Sequence, residues 1–399
     1  MPEALIVDAI RTPIGKRGGA YADVHPTRLL STVLLALFER TGLDPGEVED
    51  HICGCVSQTG EQALNVGRNA WLAAGLPERV PSTTIDRQCG SSQQAAHFAA
   101  QGVMAGAYDL VVASGVESMT RVPLGSSLAG GDPFAGGLAD RYDGRLVPQG
   151  ISAELIAHRW RIPREEQDDL GYRSHARAAA ATREGRFRGH LVPVQLPGDG
   201  SVLLDRDEGI RMEPDRERMR VLEPAFRSPA FDGLFPGQID WTVTAGNASQ
   251  ISDGATALLV ASPPAAERLG LRPRARFVSF SVVGDDPVFM LTGPIPATRR
   301  AMERAGLDLE DLAAVEINEA FASVVLAWKR ELGISDDWFE EHVNPNGGAI
   351  AMGHPLGATG GKLMADLVAE LERRDGRYGL QVMCEGGGMA NATVLGRAP

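Results

Sequence analysis

Cys89 lies in the run TTIDRQCGSSQQAAHFAA, where a strand-like segment (Ser82 to Ile85) passes through a polar turn into small residues that open a long helix. A cysteine at a helix N-terminus faces unpaired N–H groups and the positive end of the macrodipole. Both favour the thiolate, which is the nucleophilic form. The commoner fate of a lone cysteine is that of a small core residue, so position alone leaves both readings open. His354, in NPNGGAIAMGHPLGATGGK, can take a thiol proton as a general base. A lone histidine in a glycine-rich loop more often makes a structural hydrogen bond. Cys384, in QVMCEGGGMANATVL, ends a strand just before Gly386, Gly387 and Gly388. Glycines there allow close approach of a ligand, and their free N–H groups can stabilise an oxyanion. A second thiol able to give and take a proton is more than ester hydrolysis needs. Asn318 and Glu319 interrupt the apolar passage VEINEAFASVVLAW, as a cap or as a donor that orients a ligand.

An internal repeat ties these residues together. RTGLDPGEVEDHICGC (residues 40–55) and RAGLDLEDLAAVEINE (residues 304–319) share Arg-x-Gly-Leu-Asp, an acidic turn and a β-rich run, at an offset of 264. Tyr108 and Tyr378 open a second matching pair, YDLVVASG and YGLQVMCEG. So long a period indicates a duplicated domain rather than a solenoid. Cys89 maps at that offset to position 353, beside His354. Each copy thus carries a reactive side chain at the same strand-to-helix turn, and pseudo-twofold packing brings the two turns together.

The elements that must hold these turns alternate. ALIVDAI, TRLLSTVLLALFER and DHICGCV read strand, helix, strand, which predicts an α/β protein with a mostly parallel sheet. Residues 123–240 carry loops, an Ala- and Arg-rich helix (Arg164 to Arg183) and a charged stretch, and read as an insertion on one edge. At 399 residues two or three domains are expected. A net charge of −13 argues against nucleic acid and against an anionic membrane surface as partners. No apolar run reaches membrane-spanning length, and the N-terminus carries no leader pattern. Four scattered cysteines suit a reducing, cytoplasmic setting. Other signals fail on spacing. GATGGK (residues 357–362) has Leu356 in place of the first P-loop glycine and Leu363 in place of Ser/Thr, and Cys53-Gly-Cys55 lacks a second metal-ligand pair. GGGMAN is no dinucleotide fingerprint.

Along nearly its whole length the chain resembles the thiolase family. RTPIGKRGG, RQCGSS, GVESM, VTAGNAS, GPIPATR, NEAFA, GGAIAMGHPLGATGG and CEGGGM occur in that family's order. The resemblance implies a duplicated five-layer α-β-α-β-α core with an inserted loop domain. Its two halves are then residues 1–121 with 251–273, and 274–399, and residues 122–250 bind CoA. It also implies reversible Claisen condensation or thiolytic cleavage of 3-ketoacyl-CoA. Cys89 would carry the acyl group, His354 would activate it and hold the thioester oxygen, and Cys384 would move the α-proton. Asn318 would position a water in one oxyanion site, and the N–H groups of Cys89 and Gly386 would form the other. Ser249 would touch the pantetheine arm. CoA and acyl-CoA enter as substrates with no permanently bound cofactor and no metal, and a homodimer or dimer of dimers is expected.

Departures fall near the substrate. Gln149 stands where many members have methionine, Gln250 where glycine is common, and Ser92 where a second glycine is frequent. FRSPAFDGLFPGQIDW is longer than the usual link before VTAGNAS. Among alternatives, a ketoacyl synthase would carry a second histidine in place of Cys384, and a silent lipid carrier would have lost Cys89, His354 or Asn318. A plain cysteine hydrolase would not require Cys384.

Overall fold

The first half of the core runs β1 (Leu5–Arg11), α1 (Pro26–Thr41), β2 (Asp50–Gly54), α2 (Val66–Ala73), β3 (Ser82–Ile85), α3 (Ser91–Met104) and β4 (Leu110–Ser118), and is completed by β5 (Ser252–Ala261). Between β4 and β5 the chain makes α4 (Gln149–Arg159) and α5 (Arg164–Arg183). The second half runs β6 (Ala275–Gly284), α6 (Pro294–Ala305), β7 (Leu312–Ile317), α7 (Ala322–Glu331), α8 (Leu356–Arg373), β8 (Tyr378–Glu385) and β9 (Met389–Arg397). The computed structural model describes residues 3–197 and 203–398.

The strands follow the order β7-β8-β9-β6-β1-β5-β4-β2-β3. Each half repeats one pairing scheme. β2 is parallel to β4 as β7 is to β8, and β4 is antiparallel to β5 as β8 is to β9. β1 then flanks β5 as β6 flanks β9. The halves meet where β1 and β6 pair briefly, Leu5 opposite Arg276 and Ile6 opposite Ala275. The repeated Arg-x-Gly-Leu-Asp motif is a helix terminator in both copies. Gly42 and Gly306 each end their helix in the left-handed region, both at φ 65°, which glycine adopts without a Cβ clash.

Three hydrophobic clusters separate five layers. Strand alternation assigns the residues: in β4, Leu110, Val112 and Val116 face α1 and α2, while Val111 and Ala113 face α3 and α8. A third cluster packs β7, β8 and β9 against α6 and α7. α3 and α8 form the middle layer and are enclosed along most of their length. Two helices fit between two sheets only where side chains are small. Ala95, Ala96, Ala99 and Ala100 supply this on α3. On α8 a Cβ at Gly360 would stand 2.4 Å from the Gln93 backbone nitrogen, and one at Gly361 would stand 2.4 Å from Thr256. The five-layer α/β core expected from the sequence is therefore present, but the sheet is mixed rather than mostly parallel. Among the described strands only β2 with β3 and β4, and β7 with β8, run parallel, because β1, β5, β6 and β9 each enter antiparallel to their neighbours.

The middle layer also buries His97, whose Nε2 lies 2.6 Å from Thr393 Oγ1. Burial depresses its pKa to about 3, aided by the charge of Arg87. As pH falls below the ordinary value of 6.5 the unfolded chain takes up a proton that the folded chain refuses, so stability drops. Between about pH 6.5 and about pH 5, wild type should lose about 2 kcal/mol more than His97→Gln. Urea unfolding at the two pH values checks this, and equal losses would show that His97 is not the neutral group described.

Candidate active site

Cys89 sits on a tight turn between β3 and α3. The Asp86 carboxylate accepts from the Gln88 N–H at 2.6 Å, and the Ser91 hydroxyl accepts from the Arg87 N–H at 2.9 Å. Gln88 is forced to φ 48°, a conformation non-glycine residues rarely adopt. The thiol is 2% exposed and packs among Met119, Leu356, Leu363 and Met383. Burial pushes its pKa well above the ordinary thiol value, and Cys384 and Glu385 push it further. The Gly386 N–H and the N–H of Cys89 itself donate toward the sulfur and oppose the rise. The helix N-terminus therefore does not make a resting thiolate, as the local sequence reading expected. Desolvation wins, and Cys89 rests as a neutral thiol.

His354 occupies the corresponding turn of the second half. Cys89 and His354 each stand two residues before their helix, which begins at Ser91 and at Leu356 respectively. Backbone contacts hold the His354 turn against the first half. The Gly357 N–H donates to Glu117 at 2.9 Å, and the His354 N–H donates to the Gln250 carbonyl at 3.1 Å. The Gln250 side-chain amide donates to the carbonyls of Ile350 and Ala351, both at 2.9 Å, and of Gly209 at 3.2 Å. The glutamine found where glycine is common is thus a brace behind the histidine.

The His354 ring lies with Nδ1 2.7 Å from Thr359 Oγ1, whose hydroxyl donates to the Pro355 carbonyl at 2.9 Å. That hydroxyl's proton is committed, which assigns the ring proton to Nδ1 and leaves Nε2 a free base. Burial lowers the His354 pKa to about 3, with Lys362 adding to the effect. A neutral imidazole thus faces neutral thiols. Thr359→Val removes the acceptor that fixes this tautomer, and kcat should fall about tenfold to a hundredfold with little change in KM. Steady-state kinetics read the split; an unaltered kcat would remove Thr359 from the site.

Asn318 leaves the end of β7 with its N–H bonded to the Val382 carbonyl at 3.0 Å. Its Nδ2 lies 3.4 Å from His354 Nε2 and 3.8 Å from Cys384 Sγ. Its Oδ1 is buried with no partner among the described residues. Such an orphaned acceptor suits a water or substrate group. The Cys384 pKa is pushed up to about 12, mainly by burial, while the Asn318 amide works against the rise. Gly386 follows in the β8–β9 hairpin. A Cβ there would stand 2.9 Å from Gln88 Oε1 and 3.5 Å from Gln149 Nε2, so Gln149 does reach the site. The Ser249 N–H donates to the Ala320 carbonyl at 2.9 Å, which fixes the GNAS segment beside Ala320 and Phe321. Glu319 is held by Ser174 at 2.6 Å and Asn344 at 2.9 Å and joins α5 to this region.

The structure thus places Asn318, His354 and Cys384 in one cluster and sets Gly386 and Cys384 against Cys89. Ser249 stands at the edge, on the segment paired with Ala320 and Phe321. Thr359, Gln88 and Glu385 belong to the site and were not singled out in the sequence. Thr359 could have been found by asking which neighbour orients the histidine ring. Among the described residues no group of three or more His, Cys, Asp or Glu is arranged to hold a metal.

Residues 4–263 match the family of thiolase N-terminal domains and residues 271–397 that of thiolase C-terminal domains. A steroid 3-ketoacyl-CoA thiolase of Mycobacterium tuberculosis is 47% identical, and the match covers 100% of this chain and 95% of that protein. A 3-oxoadipyl-CoA/3-oxo-5,6-dehydrosuberyl-CoA thiolase of Escherichia coli is 43% identical over the full length of both. The crystal structure of the Bacillus anthracis acetyl-CoA acetyltransferase superposes with a TM-score of 0.88 at 37% identity, covering 100% of this chain and 99% of that one. With both domains matched in sequence, full-length relatives in agreement and the duplicated core shared with a solved structure, the chain belongs to the thiolase family.

Proposed function

We propose that this thiolase works through Cys89 as nucleophile, His354 as its base and Cys384 as the acid/base at the α-carbon, with Asn318, Gly386 and Ser249 in support. The observation that carries the reading is the Asn318 amide, which touches both His354 and Cys384, while the Gly386 N–H points to Cys89.

In the cleavage direction Cys89 attacks the 3-keto carbonyl and its proton passes to His354 Nε2. The alkoxide is held by the N–H groups of Cys89 and Gly386, a contribution of roughly 3–4 kcal/mol per donor. Its collapse breaks the Cα–Cβ bond. The departing enolate of acetyl-CoA, stabilised beside protonated His354 and a water on Asn318, takes a proton from Cys384. The CoA thiol then attacks the acyl-enzyme, its proton restores Cys384, and Cys89 recovers its own proton from His354. Condensation is the reverse. Ping-pong kinetics follow from the covalent step. Because both thiols rest neutral, the proton transfers must accompany bond making.

Beside Gly387, Gly388 and Met389 lies a cavity of about 340 Å³, lined mainly by apolar and aromatic side chains that include Phe134, Leu138, Tyr142 and Met290, with Asp285 also on its wall. That size suits a bulky group, and the names of the steroid and 3-oxoadipyl-CoA thiolases favour an acyl group beyond acetyl, whereas the superposed solved structure is named for acetyl transfer. Ser249 and the inserted residues 122–250 are assigned to CoA, between halves formed by residues 1–121 with 251–273 and by 274–399. The assembly is read as a homodimer or dimer of dimers, supported by exposed Leu124 and Leu128 at 63% and 48%. A cytoplasmic setting agrees with four unpaired cysteines. No helix among the described residues is long and apolar enough to cross a membrane.

Absorbance loss of 3-ketoacyl-CoA on adding CoA and protein tests the reading. Bulky ring-bearing 3-ketoacyl-CoA should give kcat/KM at least about tenfold above acetoacetyl-CoA. A preference for acetoacetyl-CoA would overturn the substrate assignment, and no change with any substrate would favour a silent carrier.

A further inference from the structure

Glu385 is the last residue of β8 and directly follows Cys384. It is fully buried, and neither carboxyl oxygen has a hydrogen-bond partner among the described residues. Its side chain lies against the start of α3. A Cβ on Gly90 would stand 1.8 Å from Glu385 Oε1, so the absence of a side chain at Gly90 is what admits the carboxyl beside Cys89. Among the described residues the charged and titratable groups facing it are few. From the turn before α3 come Asp86 and Arg87, and the two cysteines of the site complete the set. Arg87 is not seen to pair with it: among the described residues Arg87 Nε is buried without a partner, and Nη1 turns to Met389 Sδ at 3.5 Å.

A buried carboxyl with no donor is costly to ionise. A negative charge here would also oppose every step that places charge on the Cys89 sulfur.

We propose that Glu385 is a positioning residue for acyl transfer: as a neutral acid it permits negative charge on the Cys89 sulfur, and as a carboxylate it withholds that charge and so sets the alkaline limit of Cys89 reactivity. The inference rests on the reading of Cys89 as nucleophile. Burial raises the Glu385 pKa to about 9, with Arg87 opposing and Asp86 assisting. Cys89 and Glu385 then titrate as an interacting pair, each harder to ionise once the other has done so.

The test reads Cys89 directly, independent of turnover. Iodoacetamide alkylation of the Cys89 peptide is followed by mass spectrometry in the intact enzyme from about pH 6 to about pH 10.5. In wild type the logarithm of the rate should climb and then bend below a single-ionisation line near pH 9. Glu385→Gln should remove the bend and react about tenfold faster at about pH 10, equivalent to one unit in the Cys89 pKa. Glu385→Asp should keep the bend, because it keeps the carboxyl. A bend of equal size in Glu385→Gln overturns the proposal. Should that variant fail to fold, a wild-type profile without a bend overturns it equally. Failure here leaves acylation of Cys89 intact, whereas failure of the nucleophile reading shows as absent acylation whatever the alkylation profile.

Discussion

Cys89→Ala should lower turnover by at least about 10⁴-fold, because the acyl group then has no residue to occupy and the remaining groups act only as a unit. The fold should survive. The substitution removes one sulfur from a cluster of flexible side chains, Met119, Leu356, Leu363 and Met383, at a cost of about 1 kcal/mol. Labelled acyl-CoA should leave no thioester on the variant. The neutral resting state sharpens this expectation. Burial also pushes the Cys384 thiol up to about 12, so it offers no ready thiolate in place of Cys89. Cys55 is likewise pushed well above the ordinary range by its burial. Acylation that persists in Cys89→Ala would sink the nucleophile assignment.

Cys384→Ala should separate the two halves of the reaction. In the proposed mechanism acylation of Cys89 draws on His354 and the Gly386 N–H, which the substitution leaves in place. Exchange of the α-protons of acetyl-CoA needs a group that gives and takes a proton, and condensation needs the same group. Both should fall by about 10²–10⁴-fold, the usual worth of a positioned acid/base. Rapid-quench labelling and deuterium exchange measure the two halves independently. Exchange at the wild-type rate would remove Cys384 from the role, and loss of acylation together with exchange would mean that Cys384 supports Cys89 instead.

How far the sequence reached depended on what kind of interaction fixed each residue. The duplication was legible because both copies end a helix with the same left-handed glycine, Gly42 and Gly306, a backbone requirement that leaves a residue-type signature. The alignment of Cys89 with His354 follows from the same signal, since both precede a middle-layer helix by two residues. Strand alternation showed the layers because β4 and its partners bury both faces in different cores.

What escaped were contacts made by ordinary residues across the fold. Thr359 looks like one more small residue in a glycine-rich run, and only the ring distance of 2.7 Å gives it a task. Gln250 looked like a change in the substrate pocket, yet its amide is spent on three backbone carbonyls. Glu385 reads as a charge at a strand end until its burial is seen. The thiolate expected at Cys89 failed for a matter of magnitude. A helix terminus contributes up to about 2 kcal/mol, whereas desolvating a buried ionised group can shift its pKa by about 3–5 units, several kcal/mol.

Cys89, and no other thiol, is proposed to carry the acyl group. Wild-type protein mixed with acyl-CoA without free CoA, quenched in acid and mapped by peptide mass spectrometry, tests it most directly. One acyl thioester per chain is expected on the peptide containing Cys89, removed on adding CoA. An acyl group on the peptide of Cys384, Cys53 or Cys55, or one that CoA does not remove, would contradict it.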